Sequence, residues 1–326
     1  GGWDFAENDA DPYDDGPAGY HGTHVAGTLG GASGGYSGIV PGADLVALRV
    51  FDDMGRSSLD WIESALRWVI DNRTSFDNPI TTVNLSLGAF ATDASVPLTQ
   101  FDDELQMLRE QGVLVFAAAG NSFDATRPDS LAYPASHPLV AAVTSIDASG
   151  TLHNFAQRGS GAFAAPGTAV RGSVPDHVLG VDGQIDDFAP SDGTSMATPQ
   201  LAGASVLVRE AMIARGLDPT PEDILSHLRD TAITRQDAIT GATYHQLDLQ
   251  NAIGTLLGPG SAEPTVTPVP TDPSPLHWTG ATSLVIRTGD GSDNVVLDLS
   301  GQGSITINSV VHSIDRPFSS ITVDRG

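Results

Sequence analysis

Between Asp44 and Ser145 short apolar runs of strand length alternate with stretches of helical spacing, a pattern that few folds accept. Leu45 to Val50 forms one run; after the turn Asp53-Met54-Gly55-Arg56-Ser57, a helical pattern extends from Leu59 to Ile70. The unit then repeats. Thr82 to Leu87 is strand-like, Leu98, Phe101, Leu105 and Leu108 give helical spacing across 97–111, and Val113 to Ala118 is a second apolar strand. Strands that are apolar throughout need cover on both faces. The pattern therefore predicts an α/β fold with a mostly parallel sheet between helices.

Two further runs, Leu139 to Ser145 and Ala162 to Ala165, precede an apolar stretch from Ser195 to Ala214 that is long enough for a buried helix. Another helix is expected from Pro221, with Thr220 as N-cap and Glu222 and Asp223 where negative charge suits the helix dipole. At 326 residues the chain has room for one large core and a small appendage. The boundaries follow composition: a main domain over 1–258, a Pro/Thr/Ser-rich linker over 259–275, and a β-rich module over 276–326. In that module Ser283 to Arg287, Asn294 to Leu299, Ser304 to Asn308 and Ser320 to Val323 read as short strands. The stretch 288–296 is similar to one copy of the Gly- and Asp-rich nonapeptide of calcium-binding β-rolls, whose sites need adjacent copies; an ordinary Asp-Gly turn is the simpler account.

Forty acidic residues against 15 basic ones, all of them Arg, give a formal charge of −25. Such a surface repels nucleic acid and anionic membranes, and no apolar run reaches membrane-spanning length. Cysteine is absent, which excludes disulfides, thiolate metal sites and a cysteine nucleophile.

Chemistry is carried by three separated segments: His21-Gly22-Thr23-His24-Val25-Ala26-Gly27, Ala118-Ala119-Gly120-Asn121, and Gly193-Thr194-Ser195-Met196-Ala197-Thr198-Pro199. A serine hydroxyl is a weak nucleophile. It needs a base for its proton and donors for the oxyanion that forms. Ser195, just after Gly193-Thr194 and opening the expected helix, would lie where unpaired N–H groups favour negative charge. Taken singly, a His-x-x-His pair can be a packed core pair or a metal site, and a Gly-Thr-Ser turn is common before helices.

Together, and in this order, the segments closely resemble the His, oxyanion-hole and Ser signatures of the subtilases, serine endopeptidases of subtilisin type. The likeness runs from Gly2 to about Asn251. It implies the subtilisin-like three-layer sandwich, His21 as general base and acid, Ser195 as nucleophile, and Asn121 as oxyanion donor beside the Ser195 N–H. His24 is then a packed structural histidine. Ser86, Leu87 and Gly88, with Gly120, would line the cleft and pair with the substrate backbone as an added strand. The resemblance further implies polypeptide substrates, an N-terminal propeptide, secretion, and no cofactor for the chemistry. Relatives bind structural calcium through acidic loops, which makes Asp9, Asp11, Asp14 and Asp15 weak candidates, although a solvated loop is the better account of them.

The family's third triad member is an Asp at the end of a strand before the His motif, within Asp-Thr-Gly or Asp-Ser-Gly. Neither tripeptide occurs here. Asp4, Asp9 and Asp11 resemble the region after that strand and are not promoted to the role. The sequence is therefore read as N-terminally incomplete, with a strand missing from the middle of the sheet and with weak or no activity of its own. Losing that Asp alone lowers turnover about ten-thousandfold in a subtilisin. Two other readings compete: a non-catalytic peptide-binding protein of the same fold, and a surface protein whose β tail binds calcium.

Overall fold

The computed structural model describes residues 2–257, except 15, 18, 34–35, 92–97, 124–130, 182 and 184–186, together with six strands between 276 and 324. It divides into two compact units, Gly1–Ser261 and Ala262–Gly326.

The first unit runs β1 (Gly2–Asp4), α1 (His21–Gly30), β2 (Ala32–Ser33), β3 (Tyr36–Ser37), β4 (Ala47–Arg49), α2 (Leu59–Asn72), β5 (Thr82–Leu85) and α3 (Asp102–Glu110). It continues with β6 (Leu114–Ala118), β7 (Ala141–Ile146), β8 (Ala162–Pro166), β9 (Val170–Ser173), α4 (Asp176–Leu179) and β10 (Phe188–Ser191). Then come α5 (Thr194–Ala214), α6 (Pro221–Thr231), β11 (Ile233–Gln236), β12 (Thr243–Gln246) and α7 (Leu249–Leu257).

Six strands form the main sheet in the order β11-β12-β8-β7-β6-β5, every pair parallel except β11 with β12. The apolar character of β6 follows from its place inside the sheet, between β7 and β5 and covered by helices on both faces. Val113, Val115 and Ala117 join Ile62, Leu66, Leu105 and Leu108 of α2 and α3 on one face. Leu114 and Phe116 join Leu201, Val208, Ile224, Leu228 and Ala252 of α5, α6 and α7 on the other. Each of the Val, Leu, Ile and Phe side chains among these, when fully buried, contributes about 1.5–3 kcal/mol. The result is the expected three-layer sandwich.

The helix predicted from Pro221 forms with a full capping box: Thr220 accepts from the Asp223 N–H, and Asp223 accepts from the Thr220 N–H. Within 97–111 the helix proper begins only at Asp102. The β9–β10 hairpin and the β11–β12 pair carry no clear periodic signal, and reading the sequence found neither them nor α7, although Leu249, Ala252, Ile253 and Leu256 recur at helical spacing.

β4 does not join the main sheet. It pairs in parallel with β1, Gly2 opposite Ala47 and Asp4 opposite Arg49, in a separate two-stranded sheet. Yet Leu48 and Val50 share one apolar cluster with Val83 and Leu85 of β5. The two strands thus face the same core, are joined through α2, and make no ladder with each other.

The second unit contains β13 (Leu276–Trp278), β14 (Ser283–Arg287), β15 (Val295–Asp298), β16 (Ser304–Ile307), β17 (Val310–Ser313) and β18 (Ser320–Asp324). They form two three-stranded sheets, β13-β14-β18 and β15-β16-β17. The linker at 259–275 lies outside the described residues, as do 288–294 of the nonapeptide-like stretch.

Candidate active site

His21 is the first residue of α1 and Ser195 the second of α5, and these two helices pack against each other. Both residues therefore sit at helix N-termini, where backbone N–H groups are unpaired. The His21 imidazole lies 6.1 Å from the Phe51 ring, centroid to centroid. Burial lowers its pKa, the charge of Asp14 opposes that shift and His24 reinforces it. A histidine held below its ordinary value is neutral at pH 7, the form in which it can accept a proton.

His24 has a different task. It is fully buried, and its Nε2 bonds to Val170 O at 2.9 Å and Ala189 O at 3.1 Å, tying α1 to both strands of the β9–β10 hairpin. Gly172 allows this: a Cβ there would stand 2.7 Å from the ring. Its place is that of a packed structural residue.

The turn that carries Ser195 is built on Gly193, whose φ of 147° favours glycine. Gly193 N–H donates to Gly167 O at 2.8 Å, and Gly167 lies under the turn, 2.6 Å from Gly193 O to where its own Cβ would be. In this resting geometry the Ser195 hydroxyl donates to Ser86 O at 3.1 Å, not to His21, and the Ser86 hydroxyl donates to Ser195 O at 2.7 Å. Catalytic hydrogen bonds often tighten only when substrate is present.

Asn121 follows Gly120 (φ 111°) at the end of β6. Its Oδ1 accepts from Thr194 N and from Thr194 Oγ1, both at 2.9 Å, and Thr194 Oγ1 in turn accepts from Gly120 N at 3.2 Å. With Oδ1 committed, Nδ2 is the free end of the amide and sits 3.3 Å from the Cβ direction of Gly193. An N–H donor thus stands beside the Ser195 turn, the kind of group an oxyanion would require.

Ser86, Leu87 and Gly88 continue beyond β5, and Gly88 and Gly120 both approach Ala132: their Cβ atoms would lie 2.8 Å and 3.3 Å from the Ala132 Cβ. Both glycines thus pack against Ala132, and the Phe90 ring stands 3.0 Å from where a Gly120 Cβ would be. Thr194, Ala132 and Phe90 were not singled out from sequence, because their roles depend on contacts between distant segments.

Of the acidic loop, Asp14 is committed to α1 through Thr23, and Asp9 Oδ1 accepts from Asp11 N. Asp15 lies outside the described residues. Among the described residues no group of three or more His, Asp or Glu side chains is arranged to hold a metal ion. Asp4 is fully buried against Arg49.

The family model described as the subtilase family, Peptidase_S8, matches residues 3–260. The chain belongs to the subtilase family. Subtilisin E of Bacillus subtilis (strain 168) is 33% identical over 211 residues, which cover 64% of this chain and 50% of that protein. Subtilisin BL of Lederbergia lenta is 33% identical over 215 residues, 65% of this chain and 70% of its own. This subtilase chain thus spans about half the length of the first curated relatives it matches. Among solved structures, the prenylagaramide maturation protease PagA superposes with a TM-score of 0.61 at 28% identity, covering 72% of this chain and 82% of that one. A cold-adapted subtilisin-like serine proteinase gives 0.57 at 29%, covering 75% and 79%.

Proposed function

We propose that this subtilase chain is the catalytic part of a secreted serine endopeptidase. Neutral His21 takes the proton of Ser195 as the hydroxyl attacks the scissile carbonyl. The Asn121 amide and the Ser195 N–H hold the oxyanion, the imidazolium protonates the leaving amine, and water then hydrolyses the acyl-enzyme. A polypeptide substrate lies extended along Ser86–Gly88. The observation that carries this reading is the convergence of Asn121, bonded to Thr194, and Ser86, bonded to Ser195, on the turn that carries Ser195.

The triad acid, in the same reading, is not among residues 1–326. It belongs to a strand filling the place between β4 and β5, which share a core without pairing. A propeptide upstream of that strand completes the maturation scheme. The chemistry uses no cofactor. The test is peptide hydrolysis by residues 1–326 alone: we expect rates about ten-thousandfold below an ordinary protease. Full activity that Ser195→Ala abolishes would show that the acid is already present.

A second reading, a peptide-binding protein without catalysis, is favoured by the Ser195–Ser86 bond that holds the hydroxyl away from His21. Reaction of Ser195 with a fluorophosphonate separates the two, since a groove alone does not activate serine.

A further inference from the structure

α1 begins without a cap of its own. Tyr20, in the N-cap position, makes no side-chain bond to the helix, and the first turn contains no acidic residue. The carboxylate that serves this turn comes from farther up the chain. Asp14, itself buried, accepts from the Thr23 N–H and from the Thr23 hydroxyl, both at 2.8 Å on Oδ2. Gly22 stands between His21 and Thr23; a Cβ there would be only 3.3 Å from Asp14 Oδ2, so the glycine leaves the carboxylate room over the turn.

Asp14 is in turn fixed from behind. Arg49, the last residue of β4, places Nε 3.8 Å from Asp14 Oδ1 while its other nitrogens bind Asp4 and Asp53, each at 2.6 Å. The ends of β1 and β4 are thus linked through one arginine to the turn that carries His21. The other charged or titratable groups around it are Glu7, 3.9 Å from Arg49, His24 one turn along α1, and His177, whose Nε2 bonds to Gly16 O.

We propose that Asp14 is a positioning residue for His21: it fixes the first turn of α1, from which the imidazole projects, and sets a negative charge there that favours the imidazolium formed when Ser195 gives up its proton. This rests on the reading of His21 as the general base, but the charge acts on the ring whether or not Ser195 reacts. A carboxylate at a helix N-terminus also offsets the dipole, which otherwise disfavours a cation there. Asp14 is accordingly the acid that tunes His21 within these residues, by its charge and through Thr23.

The experiment is NMR titration of the histidine ring protons in the full chain, with His21 assigned by His21→Gln, in wild type, Asp14→Asn and Asp14→Glu. Asn keeps an acceptor for both Thr23 bonds and removes only the charge. The His21 pKa is expected to fall by about one unit in Asp14→Asn, to stay near wild type in Asp14→Glu, and His24 to titrate as before. An unchanged His21 titration in Asp14→Asn overturns the proposal. Asp14→Ser, a second neutral acceptor, takes its place if Asp14→Asn does not fold. Should the shift appear in a protein whose Ser195 does not react with a fluorophosphonate, the catalytic reading fails and the role of Asp14 stands.

Discussion

The Ser86 hydroxyl donates to the carbonyl of Ser195, and Pro199 is the reason that carbonyl is free. In a regular helix Ser195 O would accept from the N–H four residues on, but position 199 of α5 is proline and has none. Ser86 supplies the missing donor at 2.7 Å, and the Ser195 hydroxyl returns a bond to Ser86 O. A helix defect is thereby turned into a clamp between Ser195 and the segment that follows β5.

Ser86→Ala removes that donor and leaves the Ser195 carbonyl without one, at a cost of about 1–3 kcal/mol. Denaturant melts should show this loss together with a fall in kcat. Pro199→Ala restores a helical N–H to Ser195 O, so the double variant should recover part of the stability. Strictly additive losses in this double-mutant cycle would count against the clamp.

Asn121→Ala takes away the amide that faces the Ser195 turn. The expected loss is about 10²–10³ in kcat with little change in KM, the range carried by such a donor in a subtilisin. Thr194→Val leaves the amide present and removes one of its two anchors, so it should lower kcat by a smaller factor, about tenfold. Steady-state kinetics on a peptide substrate reads both.

Burial lowers the pKa of His21, His24 and His245 from 6.5. In the unfolded chain these groups bind protons at a higher pH than in the fold, so stability is complete above about pH 6.5 and declines as pH falls toward the lowered values. The melting temperature should therefore drop between pH 7.5 and 5. Peptidase activity should instead persist somewhat below pH 6.5, since His21 stays neutral there. A melting temperature that rises on acidification over this range contradicts the assignment.

Arg158 and Asp237 form a buried pair, Nε to Oδ2 at 3.1 Å, with side-chain exposures of 1% and 6%. The guanidinium also donates to Ala156 O and lies 3.6 Å over the Phe123 ring, two residues beyond Asn121. Asp237→Ala leaves a buried cation unpaired and should cost about 3–5 kcal/mol, whereas replacing both partners with apolar residues should cost much less. Urea melts of the single and double variants decide between these outcomes.

What the sequence disclosed, and what it hid, follows from the range of the forces involved. β6 and β7 were readable because both faces are buried and every residue is selected for it, and α6 because its cap, Thr220 to Asp223, is local. The β9–β10 hairpin was not, because Val-Arg-Gly-Ser and Phe-Ala-Pro-Ser owe their strand form to each other and to His24. At the site, the positions of His21, Asn121 and Ser195 were legible from short motifs. The bonds that hold them, Thr194 to Asn121, Ser86 to Ser195 and Asp14 to Thr23, join segments nine to more than one hundred residues apart and leave no periodic mark. Asp14 looked like part of a solvated acidic loop for that reason.

The central claim is that His21 activates Ser195, and the most direct measurement is the rate at which a fluorophosphonate labels the protein in wild type, Ser195→Ala and His21→Ala. The account predicts a single adduct on Ser195, absent from Ser195→Ala and strongly slowed in His21→Ala. Equal labelling of wild type and His21→Ala, or none at Ser195 in either, would contradict it.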